Sequence, residues 1–154
     1  MTHTTLLVEA IQSGTVIDHI PAGQALHIVE LLGIKNHPEA VTLGLNLMSK
    51  RLGKKDIIKI GGRFLTEAEA GEIAVFAQGA RINLIENYKV VNKMIAALPD
   101  VLKKILVCPN AHCITRREPI DTLFHVLSAR GDVRLSCHYC ERVFSREDIR
   151  EYQI

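Results

Sequence analysis

The chain has 154 residues, 47% of them hydrophobic, with 19 Lys/Arg against 17 Asp/Glu for a formal charge of +2. That length allows one ordinary domain or two small ones, and the apolar fraction excludes wholesale disorder. So small a net charge gives little support to a nucleic-acid partner. No run approaches the ~18 apolar residues of a membrane span, and residues 1–20 contain Glu9 and Asp18 without a basic start to an apolar leader. A cytoplasmic location is the resulting expectation.

In chain order, residues 6–11 are apolar-rich and stand as an optional extra strand, followed by punctuation at Ser13 and Gly14. The β-branched run 15–20 predicts a strand. After Pro21, the recurrence of Ala25, Leu26, Val29 and Leu32 predicts a helix ended by Gly33. Val41, Leu43, Leu45 and Leu47 alternate with Thr42, Gly44, Asn46 and Met48, the pattern of a half-buried strand. A basic turn over 50–55 leads to a strand marked by Ile57, Ile58 and Ile60. Thr66 and Glu69 form a capping box for a helix continued by Ala70, Ile73, Ala74 and Ala77 to Gly79. A β-rich stretch over 81–91 bends near Glu86 and Asn87.

This β-α-β-β-α-β order predicts an α+β fold: an N-terminal split β-α-β domain, a ferredoxin-like antiparallel sheet with two helices on one face. Pro99 and Asp100 mark the expected boundary, giving domains over 1–99 and 100–154, and 101–107 predicts the strand that enters the second unit. There Thr122, Phe124 and Val126 alternate with Leu123, His125 and Leu127, and a turn at Gly131 and Asp132 leads to Val133 and Leu135. The second domain reads as small, all-β and zinc-binding.

Its cysteines are spaced Cys108-x4-Cys113, then 23 residues, then Cys137-x2-Cys140. Two short loops joined by a long hairpin can bring four thiolates into a tetrahedron, and about 50 residues bury too little core to do without such a staple. One structural Zn2+ is the preferred reading; iron accepts the same geometry, and two disulfides suit the spacing in an oxidising compartment. His112 and His138 sit inside the knuckles as substitutes for a sulfur or as exposed loop side chains. Four thiolates leave no open coordination position for catalysis. The nine Lys/Arg and eight Asp/Glu of residues 100–154 would be joined by the net charge of about −2 on such a centre.

Taken together, the phrases GTVIDHIPAG (14–23), TLGLNL (42–47), KKDIIKI (54–60), NLIENYKVVNK (83–93), LVCPNAHCIT (106–115) and CHYCERVF (137–144), with VEAI at 8–11, run nearly the full length in order. In these the chain resembles the regulatory chain of aspartate carbamoyltransferase. The resemblance implies a non-catalytic subunit that binds CTP and ATP, with UTP as a further candidate, and relays feedback control of pyrimidine biosynthesis to a catalytic chain. It also implies a regulatory homodimer and a holoenzyme of two catalytic trimers bridged by three such dimers.

By position it assigns Asp18, His19, Lys59 and Lys93 to the polar centre of the nucleotide site. Glu9, Ala10, Ile11, Val16, Asn83, Ile85, Tyr88 and Val90 fall to its base- and ribose-contacting surround. Cys108, Cys113, Cys137 and Cys140 become the zinc ligands, with Asn110 and Glu141 as contacts to the catalytic chain. Lys59, Lys93 and a protonated His19 are cations of the kind a triphosphate needs. Each position has a plainer reading when taken alone: a solvated charge for each Lys, a strand terminus for Asp18 and His19, packing for Tyr88.

The chain departs from the family pattern at Asn92, where a glycine is usual, at His112, in the helix after Pro21 and in the 48–54 loop. Asp18 and His19, as strand neighbours, are expected on opposite faces and so form no dyad. The serines have no nucleophile context and no phosphate-binding loop motif is present. The alternatives to an allosteric subunit are a zinc-ribbon nucleic-acid regulator, which would need a basic stripe from Arg116, Arg117, Arg130, Arg134 and Arg142, and a purely structural assembly subunit.

Overall fold

The computed structural model describes residues 10–129 and 132–153. Five strands, β1 (Gly14–Pro21), β2 (Val41–Ser49), β3 (Gly53–Gly61), β4 (Arg81–Glu86) and β5 (Lys89–Ile95), form one antiparallel sheet in the order β2-β3-β1-β4-β5. This is the split β-α-β order with β5 added beyond β4. Helices α1 (Ala25–Leu31) and α2 (Glu67–Ala77) supply the rest of the unit.

Register explains which face the helices cover. Ile58, Ile17 and Ile82 are cross-strand partners on β3, β1 and β4, all fully buried, and they share a core with Ile28, Leu31, Ile73 and Ala74 of the helices. Each of these isoleucines and leucines contributes about 1.5–3 kcal/mol on leaving water. The alternate residues of the same strands point to the other face, which carries the candidate site. Gly14 lets β1 approach β3 closely: at φ 137°, a Cβ there would lie 1.9 Å from the Ile60 carbonyl oxygen.

The two helices start differently. The Thr66 hydroxyl accepts from the Glu69 amide at 3.2 Å and the Glu69 carboxylate accepts from the Thr66 amide at 3.1 Å, the capping box read in the sequence. Helix α1 has no side-chain cap of its own. Asp56, buried on β3, accepts instead from the amides of Gly23 and Ala25 through Oδ2 and from Asn46 through Oδ1.

Several expectations are corrected. The buried face of α1 is Ala25, Ile28 and Leu31, with Leu32 just beyond it, while Leu26 is 56% exposed. On β2 only Gly44 is buried; Leu43, Leu45 and Met48 are exposed because β2 is an edge strand and a bulge at Asn46 (φ 59°) breaks its alternation. The 81–91 stretch is a two-residue hairpin, with Asn87 and Tyr88 both at positive φ, and β5 continues to Ile95. Asn92 is not at positive φ, so the missing glycine imposes no backbone strain there. The optional N-terminal strand lies largely outside the described residues, as does Gly131.

The second unit is a four-stranded antiparallel sheet, β6 (Val101–Lys103), β7 (Leu123–Ala129), β8 (Asp132–Cys137) and β9 (Val143–Ser145), in that order. Thr122, Phe124, Val133, Leu135 and Cys137 are buried, as the alternation requires. Strand β6 is shorter than the expected 101–107 because Lys104 takes positive φ and turns the chain; Leu106 makes only an isolated bridge to Tyr152.

Candidate functional site

Two sites emerge, one on each sheet. In the first, Lys59, Val16, Asn83 and Lys93 are successive cross-strand partners on β3, β1, β4 and β5. Partners in an antiparallel ladder project to the same side, so four residues far apart in sequence form one transverse row on the face away from the helices. The next row toward the hairpin is Gly61, Gly14, Ile85 and Val90; the next in the other direction contains Asp18 and Arg81. Lys59 is 8% exposed and lies on a strand inside the sheet, which removes the reading of it as a solvated edge charge.

At the far end of β1 a bulge between Ile17 and Ile20 sets His19 at φ 60°. The bulge overrides strict alternation, so Asp18 and His19 are not on opposite faces: His19 Nδ1 lies 3.7 Å from Asp18 Oδ1. The Asp18 carboxylate accepts from the His19 amide at 2.7 Å and pairs with Lys55 Nζ at 2.9 Å. Burial pushes the Asp18 carboxyl up, but the Lys55 and His19 hydrogen bonds and the Lys55 charge outweigh it and hold Asp18 below the usual carboxylate range. Burial pushes the His19 imidazole down; Asp18 opposes this, and Lys55, Arg81 and Arg51 add to it. The unliganded site therefore resists protonation of His19 more than water does, and its Nδ1 is buried without a hydrogen-bond partner among the described residues.

Tyr88 and Val90 are exposed at the hairpin, and the Tyr88 amide donates to the Gln12 carbonyl at 3.0 Å. That bond brings the hairpin tip to the segment holding Ala10 and Ile11, which line a cavity of about 420 Å3 with Thr42, Gly61 and Gly62. A second cavity of about 390 Å3 is lined by Arg81, Asn83, Val90, Lys93, Met94 and Ile95. Glu9 lies outside the described residues. Lys55 and Arg81 belong to this face although sequence reasoning passed over them. Lys55 sits in a basic run that has the composition of a turn, whereas Arg81 stands two residues from Asn83, the strand period that marks a shared face.

The second site is the cysteine cluster. The four Sγ atoms lie within 4.8 Å of one another, with Cys108 to Cys140 and Cys113 to Cys137 both at 3.8 Å. A tetrahedral ion with bonds of about 2.3 Å to sulfur requires edges of about 3.8 Å, whereas a disulfide needs about 2.05 Å. The donor set fits a metal. Burial pushes the Cys108 and Cys137 thiols up. At Cys140 burial acts in the same sense, but bonds from the Arg142 amide and the side chains of Asn110, Cys137 and Cys108 bring it down to about 7. Without a cation the four thiolates would not coexist, and a bound metal supplies the missing charge.

Neither knuckle histidine joins the cluster. The His112 amide donates to Asn110 Oδ1 at 3.1 Å, and His138 Nδ1 lies 3.1 Å from His125 Nε2. Glu141 is exposed at φ 62°, closing the second knuckle with its amide on the Cys137 carbonyl.

Comparison with known proteins places the chain in a family. Residues 6–96 match the family model for the aspartate carbamoyltransferase regulatory chain, allosteric domain, and residues 100–150 match the model for its metal binding domain. The chain belongs to the aspartate carbamoyltransferase regulatory chain family. A regulatory chain from Vibrio vulnificus (strain YJ016) is 47% identical over 148 residues, covering 96% of this chain and 97% of that one. Regulatory chains from Vibrio cholerae, 44% identical over 150 residues (97% of each chain), and Chromobacterium violaceum, 46% over 147 residues (96% of this chain and 97% of that one), are similar throughout. The sheet with the transverse row lies wholly within the allosteric match, and the cysteines lie within the metal-binding match. No helix among the described residues is long and apolar enough to cross a membrane.

Proposed function

We propose that this regulatory chain is a cytoplasmic, non-catalytic subunit that binds CTP and ATP, with UTP as a further effector, on the outer face of its first sheet. It would thereby impose feedback control of pyrimidine biosynthesis on a catalytic chain. The observation that carries the reading is the row of Lys59, Val16, Asn83 and Lys93 flanked by Asp18, His19, Ile85 and Val90. Cationic groups for phosphates, polar groups for a ribose and apolar ones for a base occupy one continuous face. Ala10, Ile11 and Tyr88, with Glu9, complete the base-contacting end. The nucleotide domain is assigned to residues 1–99 and the zinc domain to 100–154.

Cys108, Cys113, Cys137 and Cys140 hold one structural Zn2+, the ion without redox chemistry that a closed four-sulfur site suits. Beside them Asn110 and Glu141 face the catalytic chain, and the exposed Ile114, Tyr139 and Val143 offer apolar area for that contact. The unpaired edge of β2, with Leu43, Leu45 and Met48 exposed, supports pairing of two regulatory chains. Three such dimers bridging two catalytic trimers is the assembly proposed. A nucleic-acid role finds less support: Arg116 and Arg134 are paired with Glu151 and Asp132.

The test is co-purification with the catalytic chain, then activity against aspartate concentration with and without CTP and ATP. Opposite shifts of the saturation curve are expected. Unchanged kinetics in a confirmed complex would leave only an assembly role.

A further inference from the structure

Arg81 opens β4, opposite Asp18 on β1 and Ile95 on β5. It lines the 390 Å3 cavity with Asn83, Val90 and Lys93. Strand β4 is inside the sheet, so the residue is not an edge charge of the kind that deters strand pairing. The carboxylate in its own row, Asp18, is engaged by Lys55 at 2.9 Å. Arg81 makes no ion pair or side-chain hydrogen bond among the described residues, and its charge is felt at His19.

The strand period gives this guanidinium a place in the site. Ile85, Asn83 and Arg81 follow one another along the same face of β4, spanning about 13 Å at ~3.3 Å per residue. With a base against Ile85 and Val90 and a ribose near Asn83, the phosphate chain runs toward Arg81, with Lys93 beside it on β5. We propose that Arg81 grips the outer phosphates of the bound nucleotide and sets its preference for triphosphates over monophosphates. This rests on the nucleotide reading of the face. An arginine fork can hold two phosphate oxygens at once, whereas Lys93 is a point charge that serves any phosphate.

The experiment is calorimetric titration of CTP and CMP into the metal-loaded full chain, as wild type, Arg81→Ala and Arg81→Lys, each checked by thermal melting. Arg81→Ala weakens CTP binding about tenfold or more and leaves CMP within about twofold, and Arg81→Lys falls between. Equal losses for CTP and CMP, or no loss for either, overturn the assignment while leaving the nucleotide site standing. A wild-type chain that binds CTP no tighter than CMP has the same consequence. A wild-type chain that binds neither removes the nucleotide reading and Arg81's role with it.

Discussion

Replacing Asp56 tests how the first sheet is held in its working shape. Asp56 is 1% exposed, and its carboxylate accepts three amides, from Gly23 at 3.0 Å, Ala25 at 3.3 Å and Asn46 at 3.0 Å. It therefore replaces the missing cap of α1 and fixes the β2 bulge, just beyond the β1 bulge that carries His19. Hydrogen bonds to a charged group contribute about 1.5–3 kcal/mol each, but two of these three donors are only partly buried and water can replace part of the loss. Asp56→Ala should cost about 4 kcal/mol. Asp56→Asn keeps the shape but turns an amino group toward one amide donor, and should cost about 2 kcal/mol. For a chain of this size the alanine variant should melt about 10 °C lower. Urea unfolding of the metal-loaded chain, with CTP titration on the folded variant, measures both stability and site geometry. A midpoint for Asp56→Ala indistinguishable from wild type would refute the claim that one carboxylate organises these three segments.

Cys137→Ser, or removal of the metal by a chelator, should unfold the second sheet and abolish association with the catalytic chain; intact association after verified metal loss, read by size exclusion, would contradict this. The lowered His19 pKa has a sign: below about pH 6.5 the unfolded chain takes up a proton that the folded site resists, so stability should fall as pH drops through that range. Bound phosphates reverse the local field, so CTP affinity should rise from pH 7.5 to 6, and His19→Gln should flatten both dependences in melting and titration. Thr66→Ala removes the hydroxyl half of the capping box and should cost about 1 kcal/mol in urea unfolding, without changing CTP affinity.

What the sequence disclosed depended on how local the determinant was. The Thr66 and Glu69 box closes within one helical turn, and the cysteine spacing carries its own geometry, so both were legible. Strand order followed from the alternation of elements. Register did not, because the bulges at His19 and Asn46 each insert a residue that no periodicity reports. That is why strand alternation alone puts Asp18 and His19 on opposite faces while the structure does not. The apolar alternation of β2 correctly announced a strand, but periodicity describes the strand and not what covers it; with no neighbour beyond β2, its leucines face solvent. Asp56 was missed because its three donors come from segments 10 to 33 residues away.

The two sites are joined by packing that the sequence does not announce. The outer-face row Lys59, Val16 and Asn83 stands directly beside the core row Ile58, Ile17 and Ile82, which shares a continuous core with α2. Near the C-terminal end of α2, Phe76 stacks on His27 of α1 at 5.0 Å and meets the edge of Tyr152 at 6.3 Å. Arg146 donates to the Phe76 carbonyl at 3.4 Å, so a second contact from the metal-bearing unit lands on the same residue. The Tyr152 hydroxyl is buried without a hydrogen-bond partner among the described residues, and burial, with Glu30 nearby, pushes its pKa up to about 12. A buried hydroxyl left unpaired costs about 1–3 kcal/mol. Packed contacts between rigid elements change arrangement in discrete steps, not by continuous deformation. A ligand that altered the spacing of β1, β3 and β4 would therefore act on the α2 contact through side chains already in contact, and Phe76 is where that displacement would reach the metal-bearing unit.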